Sequence, residues 1–331
     1  MKVILKLTTL IIIFTLCAFV FAGCNEKDAS IVKVNEVTHS VFYAPFYVAI
    51  NNGYFEDEGL TIELTNGGGS DKSMTAVMSG QADIGLMGPE TAVYVKLAGS
   101  NNYPKVFGQL TQKDGSFLIG RTNQSNFSWQ SLIGSEIIGG RPGGMPAMCL
   151  EYALYKNGLI DGENVTINYD VQFDLITASF ESGIGDYCTM FEPNATQYQN
   201  SGKGYSITSV GAEAGKVPYT CFMATQSYIN NNPEIVKAFM RAVIKGIDFV
   251  MESDDITVAN SLLASFPATD VETLASSVKA YKTIDAWKTS PVMSEEDFDT
   301  LLDILEFADV IDERVAFGDI IDNSITQSIV K

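Results

Sequence analysis

Basic side chains are scarce in this chain: Lys and Arg number 21 against 40 Asp and Glu, a net charge of −19. Such a field repels polyanions, so nucleic acid is not an expected partner. Histidine is scarcer still, with His39 alone, so metal sites built on His and Ser-His or Cys-His relays have no second ring to draw on. No G-x-S-x-G, H-E-x-x-H or C-x-x-C occurs, and neither enzymatic activity nor a cofactor or metal is expected. His39 reads as a satisfied core or hinge histidine. What the chain has in quantity is apolar residues, 46% of its 331 positions, enough for two domains of ordinary size.

The start is of a different kind. MKVILKLTTLIIIFTLCAFVFAGC carries Lys2 and Lys6, then an apolar run from Leu7 to Phe21, then small residues ending at Cys24. The run falls short of the roughly 20 residues that a membrane span needs, and the pattern is that of a secretory signal. Phe21-Ala22-Gly23-Cys24 resembles a bacterial lipobox. Residues 1–23 are therefore expected to be a lipoprotein signal peptide, Cys24 the lipidated anchor on the outer side of the cell membrane, and residues 24–32 a tether. Cys149, Cys188 and Cys221 then remain, without metal-type spacing; buried thiols are expected, and one disulfide with one thiol over is the alternative.

Two stretches repeat each other. SGQADIGLMGPE (Ser79–Glu90) matches SGIGDYCTMFEP (Ser182–Pro193), and NGYFEDEGLTI (Asn52–Ile62) matches NGLIDGENVTI (Asn157–Ile167) at nearly the same spacing. In the first copy VTHSVFY reads as a strand, then comes a helix after Pro45 closed by Gly53, the strand LTIEL, the loop Gly67–Ser70, a helix stopped by Gly80, and the strand ADIGLM. The second copy runs EIIGG, RPGGMP, a helix stopped by Gly158, VTINYD, a helix stopped by Gly183, and DYCTMF. Each is β-α-β-α-β, which predicts α/β architecture with parallel sheets, twice. Asn232-Pro233 opens a long amphipathic helix, and Thr269-x-x-Glu272 and Ser294-x-x-Asp297 read as further helix caps on a C-terminal part packed on lobe 1. The expected division is 33–115 with 222–331 for lobe 1 and 116–221 for lobe 2, with two crossings forming a hinge over a cleft.

Ligands of open α/β sheets bind where strand ends lead into helix starts. Those loops nominate Tyr43, Ala44, Pro45 and Phe46, then Gly69 and Ser70, and Glu90 from lobe 1. From lobe 2 they nominate Arg141, Gly144, Met145, Pro146, Phe191 and Glu192. Aromatic walls suit a flat ligand; the Gly69-Ser70 helix start could hold an acceptor, and Arg141 could pair a ligand anion or clamp the lobes to Glu90 or Glu192. Glu192 could take hydrogen bonds from a ligand amino group. Tyr47 and Phe55 read as core.

YAPFYVAINNGYFEDEGLTIEL with MTAVMSGQADIGLMGP resembles the solute-binding proteins of ABC importers for thiamine-precursor pyrimidines, alkanesulfonates, taurine and nitrate. GGRPGGMPAMCLEYALYKNGL and FEPNATQY resemble their second lobe, and VPYTCFMATQSYINNNPEIVKAFMRAV their return crossing. The resemblance implies a two-lobed, type II periplasmic-binding-protein fold of the Venus-flytrap kind: a monomeric receptor that closes on a small solute and presents it to an ABC permease and its ATPase. The entry YAPFY is most similar to the pyrimidine-precursor branch, which favours an aromatic nitrogen heterocycle. An anion of the sulfonate, taurine or nitrate type is the alternative, and an exported enzyme of the same fold a further one. The cysteine-rich motif and cofactor lysine of the yeast-type pyrimidine synthase are not recognisable here.

Overall fold

The computed structural model describes residues 29–330; the signal segment, Cys24 and the start of the tether lie outside them. No helix among the described residues is long and apolar enough to cross a membrane.

The chain builds two five-stranded sheets of the same design. Strands β1 (Ser30–Glu36), β2 (Leu60–Asn66), β3 (Ile84–Met87) and β4 (Pro104–Thr111) belong to the first; β5 (Ser116–Gly120), β6 (Glu136–Ile138), β7 (Thr166–Asn168), β8 (Tyr187–Phe191) and β9 (Tyr205–Ser209) form the second, and β10 (Thr220–Thr225) returns to the first. The orders are β2-β1-β3-β10-β4 and β7-β6-β8-β5-β9. The repeated segments of the sequence therefore occupy equivalent places, with Val34 facing both Leu64 and Ile84 in one sheet and Ile137 facing both Ile167 and Tyr187 in the other.

The sheets are mixed rather than parallel. In each, the fourth position is filled by a strand arriving from the other lobe, β10 in the first and β5 in the second, and each pairs antiparallel with both neighbours. The two crossings run side by side: Val217 N–H donates to Gln112 O at 3.0 Å, and Thr220 N–H to Thr111 Oγ1 at 2.9 Å.

Several boundaries move. The first strand is SIVKVNE, not VTHSVFY, so residues 30–32 pair with β2 instead of serving as tether. Val41–Tyr43 forms a single 3-10 turn, because the Ser40 Oγ accepts the Phe42 N–H at 3.1 Å and closes the backbone against extension. Thr220 and Cys221 lie in the first sheet, not the second.

Helices follow the expected pattern more closely. α1 (Ala44–Asn51) begins with Pro45 in its first turn, and α2 (Ser70–Met78) and α3 (Glu90–Leu97) complete the first lobe's side of the cleft. In the second lobe α4 (Met145–Lys156) is the longer counterpart of α1, followed by α5 (Ile176–Glu181) and α6 (Asn194–Asn200). Gly53, Gly80, Gly158 and Gly183 all sit at positive φ just past helix ends, a conformation that side chains resist.

The C-terminal part supplies α7 (Pro233–Glu252), α8 (Val271–Thr283) and α9 (Glu295–Phe307). Ser294 and Asp297 form a reciprocal capping box, whereas α8 is capped by Asp270, one residue after the expected Thr269. α7 lies on α1, and α9 reaches beyond the first lobe: the Phe307 ring meets Tyr152 at 5.3 Å and Tyr155 at 4.9 Å on α4. These rings give the lobes a contact besides the two crossings.

Candidate functional site

Where the strand ends of both sheets face each other there is a slot with about 530 Å³ of free space, part of it open to solvent. Tyr43, Gly69, Ser70, Arg141, Gly144, Met145, Pro146 and Phe191 all line it, together with Val37, Gly88, Gly140, Phe173 and Tyr219.

The aromatic wall is a connected array. Phe191 lies 5.5 Å from Phe173 and 6.3 Å from Tyr219, and behind them Phe42 touches Phe191 at 5.5 Å and Tyr219 at 5.6 Å. Tyr219 comes from the return crossing, a place the repeat does not mark because its counterpart in the other lobe is a different segment. Phe173 stands in the loop before α5, and its signal is an aromatic residue at a strand-to-helix exit.

The polar edge is built from helix starts. α2 begins at Ser70 and α4 at Met145, each with a glycine cap that brings no side chain, and both caps line the slot. Ser70 Oγ accepts from Gly88 N–H at 3.4 Å, which ties the first lobe's two loops together. Across the slot, Tyr94 Oη donates to Gly143 O at 2.9 Å, and Arg141 Nε stands 3.5 Å from Asp71 Oδ1. The Arg141–Asp71 pair joins the lobes but is half-exposed at its acid, and pairs of that kind add at most about 1 kcal/mol. The expected clamp from Arg141 to Glu192 does not form.

Five nominated residues do not line the slot. Ala44, Pro45 and Phe46 are buried: α1 turns its first residues into the lobe, and Phe46 packs on Phe55 at 5.7 Å and Phe222 at 5.6 Å. Glu192 is also turned away. Its Oε2 accepts from Thr196 N–H at 2.9 Å and Ser277 Oγ at 3.3 Å, and its Oε1 from Thr196 Oγ1 at 2.9 Å. Its backbone is equally occupied, since the N–H donates to Tyr281 Oη at 2.8 Å and the carbonyl accepts from Val41 N–H at 3.2 Å. Glu192 is a joint between the lobes, with burial pushing its carboxyl up and the Thr196 and Ser277 bonds holding it down. Glu90, the fifth, lies behind Gly88 and is wholly shielded from solvent.

Other titratable groups serve the frame. Asp114, in the first crossing, accepts from Ser116 N–H at 2.6 Å, and burial pushes its carboxyl up to about 6. His39 bonds Glu36 Oε1 at 2.9 Å and Ser265 O at 2.8 Å, and the Glu36 bond raises its pKa. Cys149, Cys188 and Cys221 are buried free thiols, each pushed up by burial and so poorly nucleophilic.

Two sheets of one order, exchanged strands and a walled slot between them define the periplasmic-binding-protein fold, an architecture for enclosing a small solute. The chain belongs to the NMT1/THI5-like family, which matches residues 41–255. It is 34% identical over 312 residues, 94% of this chain and 93% of the relative, to a Bacillus subtilis (strain 168) chain named "Putative binding protein YtlA". It is 24% identical to the formylaminopyrimidine-binding protein of Halalkalibacterium halodurans over 77% of this chain and 80% of that one. Among solved structures, the alkanesulfonate-binding protein SsuA from Xanthomonas axonopodis pv. citri bound to MOPS superposes with a TM-score of 0.70 at 14% identity, over 87% of this chain and 96% of that chain, a likeness of fold.

Proposed function

We propose that this chain is the extracytoplasmic receptor of an ABC importer, anchored through lipid on Cys24, and that its solute is an aromatic nitrogen heterocycle of the thiamine-precursor pyrimidine kind. The observation that carries the reading is the slot itself: walled by the aromatic rings of Tyr43, Phe173, Phe191 and Tyr219, and edged by helix starts and Arg141. A flat ring fills such a space and stacks on its walls, while its edge atoms meet fixed donors. The named binding function of the formylaminopyrimidine-binding relative supports the same ligand class. With residues of both lobes around the solute, binding favours the closed arrangement, the form a permease would receive. Catalysis has little support, because the free thiols are buried and His39 is spent on Glu36 and Ser265.

Arg141 and the two helix starts favour a second reading, a receptor for a sulfonate, taurine or nitrate. A thermal-shift panel on the chain from residue 24 carrying Cys24→Ser separates the two. Aminopyrimidines are expected to raise the melting temperature, since ligand at 100 times its Kd stabilises by about 2.7 kcal/mol. Stabilisation by sulfonates or nitrate alone would replace the first reading with the second.

The anchor has its own test. In the full chain, Cys24→Ser is expected to move the protein from the membrane fraction to the soluble one, because attachment rests on acyl chains. A variant that still sediments with membranes would refute lipidation at Cys24.

A further inference from the structure

The two ends of α9 belong to different lobes. Its first turn is fixed to the first sheet, because Lys288 Nζ donates to Asp297 Oδ2 at 2.6 Å and the Lys288 N–H donates to Leu110 O of β4 at 2.9 Å. Its last residue, Phe307, holds its ring 5.3 Å from Tyr152 and 4.9 Å from Tyr155, both on α4 of the second lobe. Just beyond, Val310 lies beside Gly143, where a Cβ would meet Val310 Cγ1 at 3.6 Å and Tyr94 Oη at 3.7 Å. Side chains of the first lobe thus touch α4 just before its start and again about three turns on.

α4 carries that contact to the slot. Met145 and Pro146 in its first turn are slot walls, and Arg141 and Gly144 stand in the loop that leads into it. A helix is a stiff rod, and the stretch from Met145 to Tyr155 spans about 15 Å. Phe307 itself is not a wall of the slot.

The contacts between the lobes differ in what their loss would leave behind. At the Glu192 joint the N–H, the carbonyl and the carboxylate bond Tyr281, Val41 and Ser277 of the first lobe, and parting them would strand buried polar groups. Phe307 and Tyr155 are 37% and 55% exposed and meet through their rings. Parting them returns apolar surface to water and strands nothing.

We propose that Phe307 is a latch between the lobes: its ring, seated on Tyr152 and Tyr155, favours the arrangement in which both lobes wall the slot, and so sets affinity for a solute without choosing among solutes. The proposal rests on the reading of the slot as the solute's seat. Opening keeps the crossings and the Glu192 joint and gives up the rings. The solute then binds the latched fraction of chains, and apparent affinity scales with that fraction. Phe307 is a positioning residue that acts through α4 on Arg141 and Met145.

The test is Phe307→Ala in the full chain, with Tyr155→Ala as its reciprocal; both side chains are exposed enough for the fold to survive their loss. Spin labels on Glu163→Cys and Glu313→Cys, exposed positions of the second and first lobe, read lobe separation without ligand, while Cys149, Cys188 and Cys221 are buried away from the label. Either variant is expected to show a larger share of long distances than the parent. In calorimetric titration with 4-amino-2-methylpyrimidine, taurine and methanesulfonate, Phe307→Ala should bind whichever the parent binds about fivefold more weakly, by one factor for all. Adding Tyr155→Ala to Phe307→Ala should weaken binding no further, since the contact is already gone. Unchanged distances would overturn the latch and leave the solute reading intact, and unequal factors among solutes would overturn it as well. Longer distances in the variants of a parent that binds none of the three compounds would uphold the latch and overturn the solute reading.

Discussion

Truncating Phe42 to alanine is expected to cost about 3–5 kcal/mol of stability and to weaken solute binding in the same protein. Phe42 is completely buried at the single turn after β1, and its ring touches elements from every part of the chain. Phe191 of β8 lies at 5.5 Å, Tyr219 of the return crossing at 5.6 Å and Tyr281 of α8 at 5.1 Å. Trp287 Nε1 donates to the Phe42 carbonyl at 2.8 Å, and Gly115 in the first crossing has no room for a Cβ because the ring would be 2.5 Å away. Removing the ring leaves a void behind Phe191 and Tyr219, two of the slot's walls. Urea unfolding reads the stability loss, and titration of the folded variant should show affinity lower by about tenfold, or about 1.4 kcal/mol. Full affinity in the folded variant would mean that the slot walls stand without this support.

Gly246→Ala is expected to be as damaging to stability and far less so to binding. Gly246 lies in the middle of α7, where its Cβ would fall 2.1 Å from the Pro45 carbonyl oxygen and 3.1 Å from Ala49 Cβ. The clashing atom is backbone of α1, so no side chain can rotate away and the two helices must separate. Overpacking of this kind costs about 3 kcal/mol. Gly318→Ala, where nothing lies within 4 Å of the new methyl, is the matched control and should leave the unfolding midpoint in place. A small loss at Gly246 would show that α7 can shift on α1.

The contrast between these two sites also shows what sequence could and could not reveal. Helix ends were legible because Gly53, Gly80, Gly158 and Gly183 each sit at a backbone angle that other residues resist, so glycine marks the position by itself. The equivalence of the two lobes was legible because the repeated segments build the same three strands in the same order. The exchanged strands β5 and β10 were legible as strands at the two crossings, but their places as the antiparallel fourth strands were not, since they have no counterpart in the repeat.

Carboxylates were harder. Glu90 and Glu192 end the two repeated phrases at nearly equivalent places, yet Glu192 is taken up by Thr196 and by Ser277 from a distant helix, while Glu90 lies buried near Arg141 and Met145 of the other lobe. Partners that the fold brings from far away cannot be read from spacing. The same holds for YAPFY: Tyr43 ends the turn at the slot, and the first helical residues after it rotate Ala44, Pro45 and Phe46 into the core. A β-branched, aromatic run also misled at VTHSVFY, where one serine cap outweighs strand propensity.

The central claim is that this slot holds a flat, N–H-bearing ring. Calorimetric titration of the chain from residue 24 carrying Cys24→Ser with 4-amino-2-methylpyrimidine tests it most directly. The account predicts saturable binding of one ring per chain, undiminished by excess methanesulfonate. Saturable binding of methanesulfonate or nitrate, with no heat from the pyrimidine, would contradict it.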